Sequence, residues 1–446
     1  MHLTKPDLVQ LRGLPTVHRG DVLDLSPAFR YDVALVGLGY VGLPTALAFH
    51  AARCRVLGLD VSPQRLEAIR TERVDLLDSD RRRLRLALDD DDFVLTKDVS
   101  RLQEASVVII AVPTPVDDHL LPDLSILRGA CASVVANAVR GQVVILSSTT
   151  YVGSTQDLLV GPLVERGLVI GRDVYVAFSP ERIDPGNDHD AHEDVARVVG
   201  GVSKECARRA MTALGSYAAN LYEVSSAQAA EMTKLVENTF RAVNIALANE
   251  LAEVSRALGL DVAEVIDAAA TKPYGFMPFF PGPGVGGHCI PCDPHYLLWQ
   301  LRAERLSTPV IEQAMAAIAK RPLRVVERVC QVLSLAGRGI HGARVLVLGV
   351  SYKPDVEDLR GSPALEILAG LHHLGAETAF HDPLTSSLRL PAGEVLTGVE
   401  DPARYEPDLV VVHTLHRCLD LSWLEDVPLV LDTSYRLRDL PQRFTL

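Results

Sequence analysis

The sequence predicts an α/β fold: two doubly wound parallel sheets joined by a long central helix and a small helical domain. Three observations predict it. Short β-branched runs alternate with helical stretches. A strand–glycine–helix–strand–acid unit occurs twice. Between the two copies runs a stretch of more than 30 residues without proline or glycine. Alternation of strands and helices is the pattern of parallel sheets whose strands are buried on both faces.

In order, Tyr31–Val36 reads as a strand ending at glycines, and Val41–Ala51 has helical spacing. Cys54–Asp60, Ser106–Val112, Val143–Ser147 and Val174–Ala177 read as further strands. Ala227–Leu258 reads as one helix, about 45 Å long at 1.5 Å per residue. A loop rich in proline and glycine, Lys272–Pro294, follows, and then two or more helices to about Ala336. From Gly342 the first pattern returns: strand Arg344–Gly349, helix Pro363–Leu374 and strand Glu377–Asp382, with Tyr352–Ser362 as an insertion. The two copies, Gly37 to Asp60 and Gly349 to Asp382, predict two Rossmann-like domains. The expected boundaries are 28–222 for a dinucleotide domain, 223–335 for a helical domain carrying the proline- and glycine-rich loop, and 336–446 for the second Rossmann-like domain.

Composition narrows the function class. Lys and Arg number 44 against 57 Asp and Glu, so 44 − 57 gives a net charge of −13. That balance opposes a broad surface for nucleic acid or anionic lipid. The seven scattered cysteines do not form a disulfide framework and fit a reducing compartment. The first thirty residues hold no apolar stretch of signal-peptide length, and the most apolar run, Ala105–Val112, is too short to span a bilayer. The expectation is a cytoplasmic enzyme that touches neither nucleic acid nor membrane.

Gly37-Leu38-Gly39-Tyr40-Val41-Gly42 lies between the first strand and the first helix. In such a loop the first glycine permits a tight turn, the second admits the pyrophosphate, and the third packs helix on strand. The helix N-terminus offers free N–H groups to phosphate. Asp60 follows at the end of the next strand, where a carboxylate binds the ribose 2′-OH and disfavours a 2′-phosphate, so NAD is expected. Arg65 is placed to flank the adenine. Pro113 and Thr114, in Val112-Pro-Thr-Pro115, and Thr149, in Ser147-Ser-Thr149, end strands where a nicotinamide would lie.

The segment Pro281–Pro294 (PGPGVGGHCIPCDP) carries four glycines in six residues followed by Cys289. Three readings compete. Cys289 is a nucleophilic thiol whose pKa falls if it opens a helix. Alternatively, His288, Cys289, Cys292 and His295 hold zinc, although no second C-x-x-C supplies the usual separated pair. Or the cysteine is buried and inert, or half of a redox pair. Asp293, four residues on, could orient a base or water. Lys234 and Asn238, at i and i+4 on the long helix, share a face suited to an oxyanion. Glu181, in Ser179–Gly186 (SPERIDPG), is a base or a surface charge. Lys353 and Arg360, in the insertion, could meet a second phosphate-bearing ligand.

Together these motifs resemble the UDP-glucose/GDP-mannose dehydrogenase superfamily, the nucleotide-sugar 6-dehydrogenases. GLGYVGLP, VPTP, SST, SPERIDPG, KLVENTFRAVN, GPGVGGHCIPCDP and YKPDVEDLRGSP stand in the family order from about Tyr31 to about residue 440; residues 1–26 lie outside the resemblance. The resemblance implies NAD-dependent four-electron oxidation of the C6 alcohol of a UDP-hexose to a uronic acid, through a thiohemiacetal and a thioester on Cys289. It implies that Lys234 and Asn238 stabilise oxygen charge, that Asp293 and Glu181 handle protons and water, and that Thr149 lies nearby among the catalytic residues. Arg241, Phe280, Gly286 and Gly287 would line the sugar, Lys353 would bind the diphosphate, and Arg360 would reach the cofactor. It also implies a homodimer about the long helix, no metal, and a role in polysaccharide biosynthesis.

Pro185 departs from the pattern, standing where the glucose-specific branch often has a second glutamate. NTFRAVN and PGPGVGGHCIP resemble the branch acting on N-acetylhexosamines; UDP-glucose, or a TDP- or GDP-sugar, stays open. Three rivals share single features. A methyltransferase needs no cysteine loop, a hydroxy-acid dehydrogenase would share only the first domain, and a non-catalytic NAD-binding protein would have a degenerate cysteine loop.

Overall fold

The computed structural model describes residues 29–74, 76–117, 119–182, 195–287, 290–437, 440 and 442–446. Residues 1–26, Pro185, His288 and Cys289 lie outside them, so the thiol and zinc readings of Cys289 have no geometry here. The chain divides into two compact units, the first formed by 1–113, 126–148 and 153–230, the second by 114–125, 149–152 and 231–446.

The first unit is built on an eight-stranded sheet. Its strands are β1 (Tyr31–Val36), β2 (Val56–Leu59), β3 (Phe93–Thr96), β4 (Ala105–Ile110), β5 (Val143–Leu146), β6 (Tyr175–Phe178), β7 (Arg197–Gly201) and β8 (Leu221–Val224). Their order is β3-β2-β1-β4-β5-β6-β7-β8, and every described pairing is parallel except β6 with β7. β1 is flanked by β2 and β4, with Val33 opposite both Val56 and Val107. The strand order reverses at that point, where open α/β sheets bind their ligands. All six residues of β4 are buried, which explains its uninterrupted β-branched run.

Among the described residues the unit also holds the α-helices α1 (Gly42–Ala51), α2 (Pro63–Arg70), α3 (Asp78–Leu88), α4 (Ser125–Asn137), α5 (Gly161–Glu165) and α6 (Lys204–Leu214). Leu43, Leu47 and Phe49 of α1 pack with Val33 and Leu35 of β1 and with Ala210 and Leu214 of α6 in one core.

The second unit holds α7 (Ala227–Ala257), α8 (Val262–Ala270), α9 (Asp293–Ala303) and α10 (Pro309–Leu335), followed by β9 (Arg344–Leu348), α11 (Pro363–His373) and β10 (Glu377–His381). Then come a hairpin, β11 (Ser387–Arg389) with β12 (Val395–Thr397), and β13 (Leu409–Val412), β14 (Val430–Asp432) and β15 (Arg443–Thr445). The main sheet runs β10-β9-β13-β14-β15, all parallel. Val325, Val326 and Val329 of α10 join Ile367, Leu368 and Leu371 of α11 and Val345 and Val347 of β9 in one core.

The α/β class and the two Rossmann-like sheets stand as expected. Two readings change. The loop expected to run to Pro294 ends at α9, whose first two residues are Asp293 and Pro294. Proline suits the first helical turn, where its missing N–H has no partner to lose. The first sheet also carries an antiparallel pair, β6 with β7, which the alternation of strands and helices does not foretell.

Candidate active site

The glycine loop has the geometry its spacing demands. Gly37 has φ +91°, and a Cβ there would lie 2.7 Å from the carbonyl oxygen of Ala111. A Cβ on Gly42 would lie 1.8 Å from the carbonyl oxygen of Gly37, so the helix can start against the strand only with glycine there. A Cβ on Gly39 meets no chain atom within 4 Å. The middle glycine thus opens outward while its neighbours are packed shut. No side chain caps the N-terminus of α1, which follows Tyr40 and Val41. Asp60 accepts from the N–H of Leu38 at 2.9 Å and of Ser62 at 2.9 Å, fixing the loop to the end of β2. These residues fit a dinucleotide. Arg65, expected near an adenine, donates from Nε to the carbonyl oxygen of Leu38 at 2.8 Å and so ties the loop to α2.

The ends of β4 and β5 are joined by Ser148, whose Oγ accepts from the N–H of Val112 at 2.9 Å and donates to its carbonyl oxygen at 2.8 Å. This fixes the turn before Pro113. In the second unit, one face of α9 holds the two segments that continue from these strands. The Tyr296 hydroxyl lies 3.4 Å from the carbonyl oxygen of Pro115 and also bonds Thr114. Gln300 accepts from the N–H of Val152 at 3.0 Å and donates to its carbonyl oxygen at 2.7 Å. The strand-end threonines Thr114 and Thr149 therefore belong to segments anchored on the helix that Asp293 begins.

Asp293 is the centre of the buried polar group. Asn238 of α7 donates from Nδ2 to its carboxylate. Lys234, one turn earlier on α7, is also buried and acts on the same carboxylate. Burial pushes the Asp293 carboxyl up from 3.8 to about 7, against the pull of Lys234 and Asn238. A carboxyl poised there exchanges a proton readily at neutral pH. Spacing alone offered Asp293 as an orienting group and the resemblance added proton handling; its burial beside Lys234 and Asn238 makes it a candidate acid–base group. Arg241 lies a further turn along the same face, at i+7 from Lys234, and is exposed, as is Phe280.

Glu181 is not a surface charge. It is buried and paired with Arg197 of β7, which is 1% exposed. Burial opposes the Arg197 charge, but Glu181 and Tyr217 outweigh it and raise its pKa. The guanidinium lies 5.8 Å from the Tyr217 ring centroid. No motif singled out Arg197; a lone arginine inside an apolar strand was the available signal.

The glycines before Cys289 meet protein. A Cβ on Gly284 would lie 2.7 Å from Pro363, and one on Gly286 would lie 2.6 Å from Tyr352. A Cβ on Gly287 would lie 3.0 Å from the Tyr352 ring, and its N–H donates to the carbonyl oxygen of Arg360 at 3.0 Å. Close approach to a ligand was the expectation for these side-chain-free faces; they admit the Tyr352–Pro363 segment. Arg360 forks onto Asp358 of its own loop, Nε 2.9 Å from Oδ1 and Nη2 2.5 Å from Oδ2. Lys353 is half-buried in the same loop. Among the described residues, no three His, Cys, Asp or Glu side chains are grouped as metal ligands.

Family models of UDP-glucose/GDP-mannose dehydrogenases match three successive stretches: the NAD binding domain over residues 31–223, the central domain over 228–317 and the UDP binding domain over 346–438. The chain belongs to the UDP-glucose/GDP-mannose dehydrogenase family. The UDP-N-acetyl-D-glucosamine 6-dehydrogenase of Pseudomonas aeruginosa is 33% identical over 387 residues, 86% of this chain and 90% of its own. The UDP-N-acetyl-D-mannosamine dehydrogenase of Pyrococcus horikoshii is 34% identical over 389 residues, 86% and 89% of the two chains. A solved structure of the UDP-D-ManNAc dehydrogenase from Pyrococcus horikoshii matches with a TM-score of 0.84 at 30% identity, covering 93% of this chain and 98% of that one. This family member is an NAD-dependent UDP-sugar dehydrogenase whose C-terminal domain takes the nucleotide of its substrate. No helix among the described residues is long and apolar enough to cross a membrane.

Proposed function

We propose that the chain oxidises the C6 alcohol of a UDP-N-acetylhexosamine to the carboxylate, in two hydride transfers, through a covalent intermediate on Cys289. The observation that carries this reading is the buried Lys234–Asn238–Asp293 group, whose carboxyl is held near neutrality at the head of α9, four residues after Cys289. When bound, NAD supplies the acceptor for each hydride. The chain's own groups do the rest. Asp293, through water, takes the alcohol proton as the C6 aldehyde forms. Lys234 and Asn238 stabilise negative charge on the C6 oxygen. The Cys289 thiolate adds to the aldehyde to form a thiohemiacetal. Loss of the second hydride from that carbon leaves a thioester, a good acyl donor. Water then attacks, the C–S bond breaks, and the thiolate and the uronic acid are released. Glu181, fixed by Arg197, and Thr149 assist the water; Arg241 and Phe280 contact the sugar; Lys353 binds the diphosphate; Arg360 serves the cofactor.

The names of the relatives support the N-acetylhexosamine class. Pro185 supports it too, since it replaces the second glutamate of the glucose-specific pattern. Apolar side chains along α7, Val236, Phe240, Leu247, Leu251 and Val254, are 41–50% exposed and support a homodimer about that helix. The described cysteines are free thiols, which supports a cytoplasmic setting.

The test is NADH formed per sugar consumed, with UDP-N-acetylglucosamine, UDP-N-acetylmannosamine, UDP-glucose and a TDP-sugar as separate arms. Two NADH per sugar on an N-acetylhexosamine arm is expected. One NADH with accumulating aldehyde would refute the thioester route, and turnover on UDP-glucose alone would refute the sugar class. Cys289→Ser should abolish uronic acid formation and leave NAD affinity intact.

A further inference from the structure

The sequence repeat aligns Asp382, at the end of β10, with Asp60, at the end of β2. The structure gives the two acids different work. Asp60 is half-buried and takes two loop N–H groups. The Asp382 side chain is 0% exposed. It accepts from the N–H groups of Val350 at 2.7 Å, Ser351 at 3.3 Å, Leu384 at 2.9 Å and Thr385 at 3.1 Å, and from His416 Nε2 at 3.1 Å. A carboxylate so engaged has no lone pair for a ribose, so the second Rossmann-like sheet does not read a nucleotide as the first does.

His416 passes that anchorage on. Its Nδ1 accepts from the N–H of Asp355 at 2.9 Å, so its proton sits on Nε2 and points at Asp382. Asp355 has φ +61°, a conformation L-residues disfavour. The next residue, Arg417, holds it from outside: its N–H donates to Oδ1 at 2.8 Å and its Nε to Oδ2 at 2.5 Å. Two residues before Asp355 is Lys353. At the other end of the loop, Thr414 Oγ1 donates to the carbonyl oxygen of Ser351 at 2.7 Å and accepts from His413 Nδ1 at 2.8 Å. The strand-end segment 413–417 thus grips the loop on both sides of Lys353.

We propose that His416 is a positioning residue for the nucleotide sugar: fixed by Asp382 and braced by Arg417, it holds Asp355 and so sets the reach of Lys353 toward the substrate diphosphate. The inference rests on the reading of Lys353 as a diphosphate ligand. Steady-state kinetics of the full chain, varying UDP-N-acetylglucosamine or UDP-N-acetylmannosamine and NAD in turn, test it. His416→Ala is expected to raise KM for the nucleotide sugar about tenfold, the scale of about 1.4 kcal/mol. kcat and KM for NAD should stay within about twofold. His416→Asn, whose side-chain oxygen can accept the Asp355 N–H, should recover much of the loss. Arg417→Ala, at the surface, should raise the same KM by a smaller factor without loss of fold. The proposal is overturned if kcat or KM for NAD moves as far as KM for the sugar, if His416→Asn is as impaired as His416→Ala, or if Arg417→Ala has no effect. Lys353→Ala separates the two ideas. If it leaves KM for the nucleotide sugar unchanged, the ligand reading fails. If it raises that KM while the His416 and Arg417 variants do not, only the positioning role fails.

Discussion

Asp293→Asn should make the protein more stable and less active, with the stability gain appearing only as pH rises. The Asp293 carboxyl sits at about 7, against an ordinary value of 3.8. A difference of about three pH units corresponds to about 4 kcal/mol of unfavourable burial of the charged form. The sign follows from proton counting. Between about pH 4 and 7 the folded chain holds a proton that the unfolded chain has released, so stability falls as pH rises through that window and levels off above it. Asparagine has no such term. The variant's stability relative to wild type should therefore climb between pH 5 and pH 8, by about 3 kcal/mol of that total. Lys234 loses its counter-charge in the variant, which lowers the whole difference, so the change with pH is the decisive quantity. Both tryptophans, Trp299 and Trp423, lie in the unit that holds Asp293, and urea denaturation followed by their fluorescence reports it. The same substitution should lower kcat by about two to four orders of magnitude. A stability difference that does not change between pH 5 and 8 would mean that Asp293 is an ordinary ionised carboxylate, and the acid–base assignment would fall.

Other outcomes follow from single contacts. Gly42→Ala drives a Cβ into the Gly37 carbonyl and should lower the melting temperature, whereas Gly39→Ala meets no chain atom, should melt as wild type, and should weaken NAD binding by calorimetry; undiminished NAD affinity in Gly39→Ala would dismiss the loop as a pyrophosphate cradle. Arg197→Met removes the cation paired with the buried Glu181 carboxylate and should cost about 3–5 kcal/mol in urea denaturation, much of it recovered by adding Glu181→Gln. Leu251→Asp should convert the proposed dimer to monomer in sedimentation, and an unchanged species would remove α7 from the interface.

What could be read in advance was what local pattern encodes. Buried parallel strands announce themselves as β-branched runs, and β1, β4 and β5 fall within a residue or two of expectation. α7 is legible because 31 residues without proline or glycine leave few alternatives. Long-range partners were not legible. Lys234 and Asn238 share a helix face by spacing, but nothing in their neighbourhood reports that Asp293, 55 residues from Asn238, closes on them. Glu181 looked like a loop charge because its partner lies 16 residues away, in a strand with no repeat to mark it. Asp382 looked like a second Asp60 because the repeat encodes the backbone position, while His416, which saturates it, comes 34 residues later.

The fit of Gly284, Gly286 and Gly287 against Tyr352, Gly361 and Pro363 has a consequence for recombination among relatives. The two segments are separated by α9, α10 and β9, yet neither can change bulk unless the other changes with it. A chimaera whose crossover falls between residues 287 and 352 unites halves shaped for different neighbours. One that carries both segments from a single parent keeps the match. Exchange of nucleotide or sugar preference between these enzymes should therefore succeed by moving the stretch from before Gly284 to beyond Pro363 as one cassette, and fail when the C-terminal domain is moved alone.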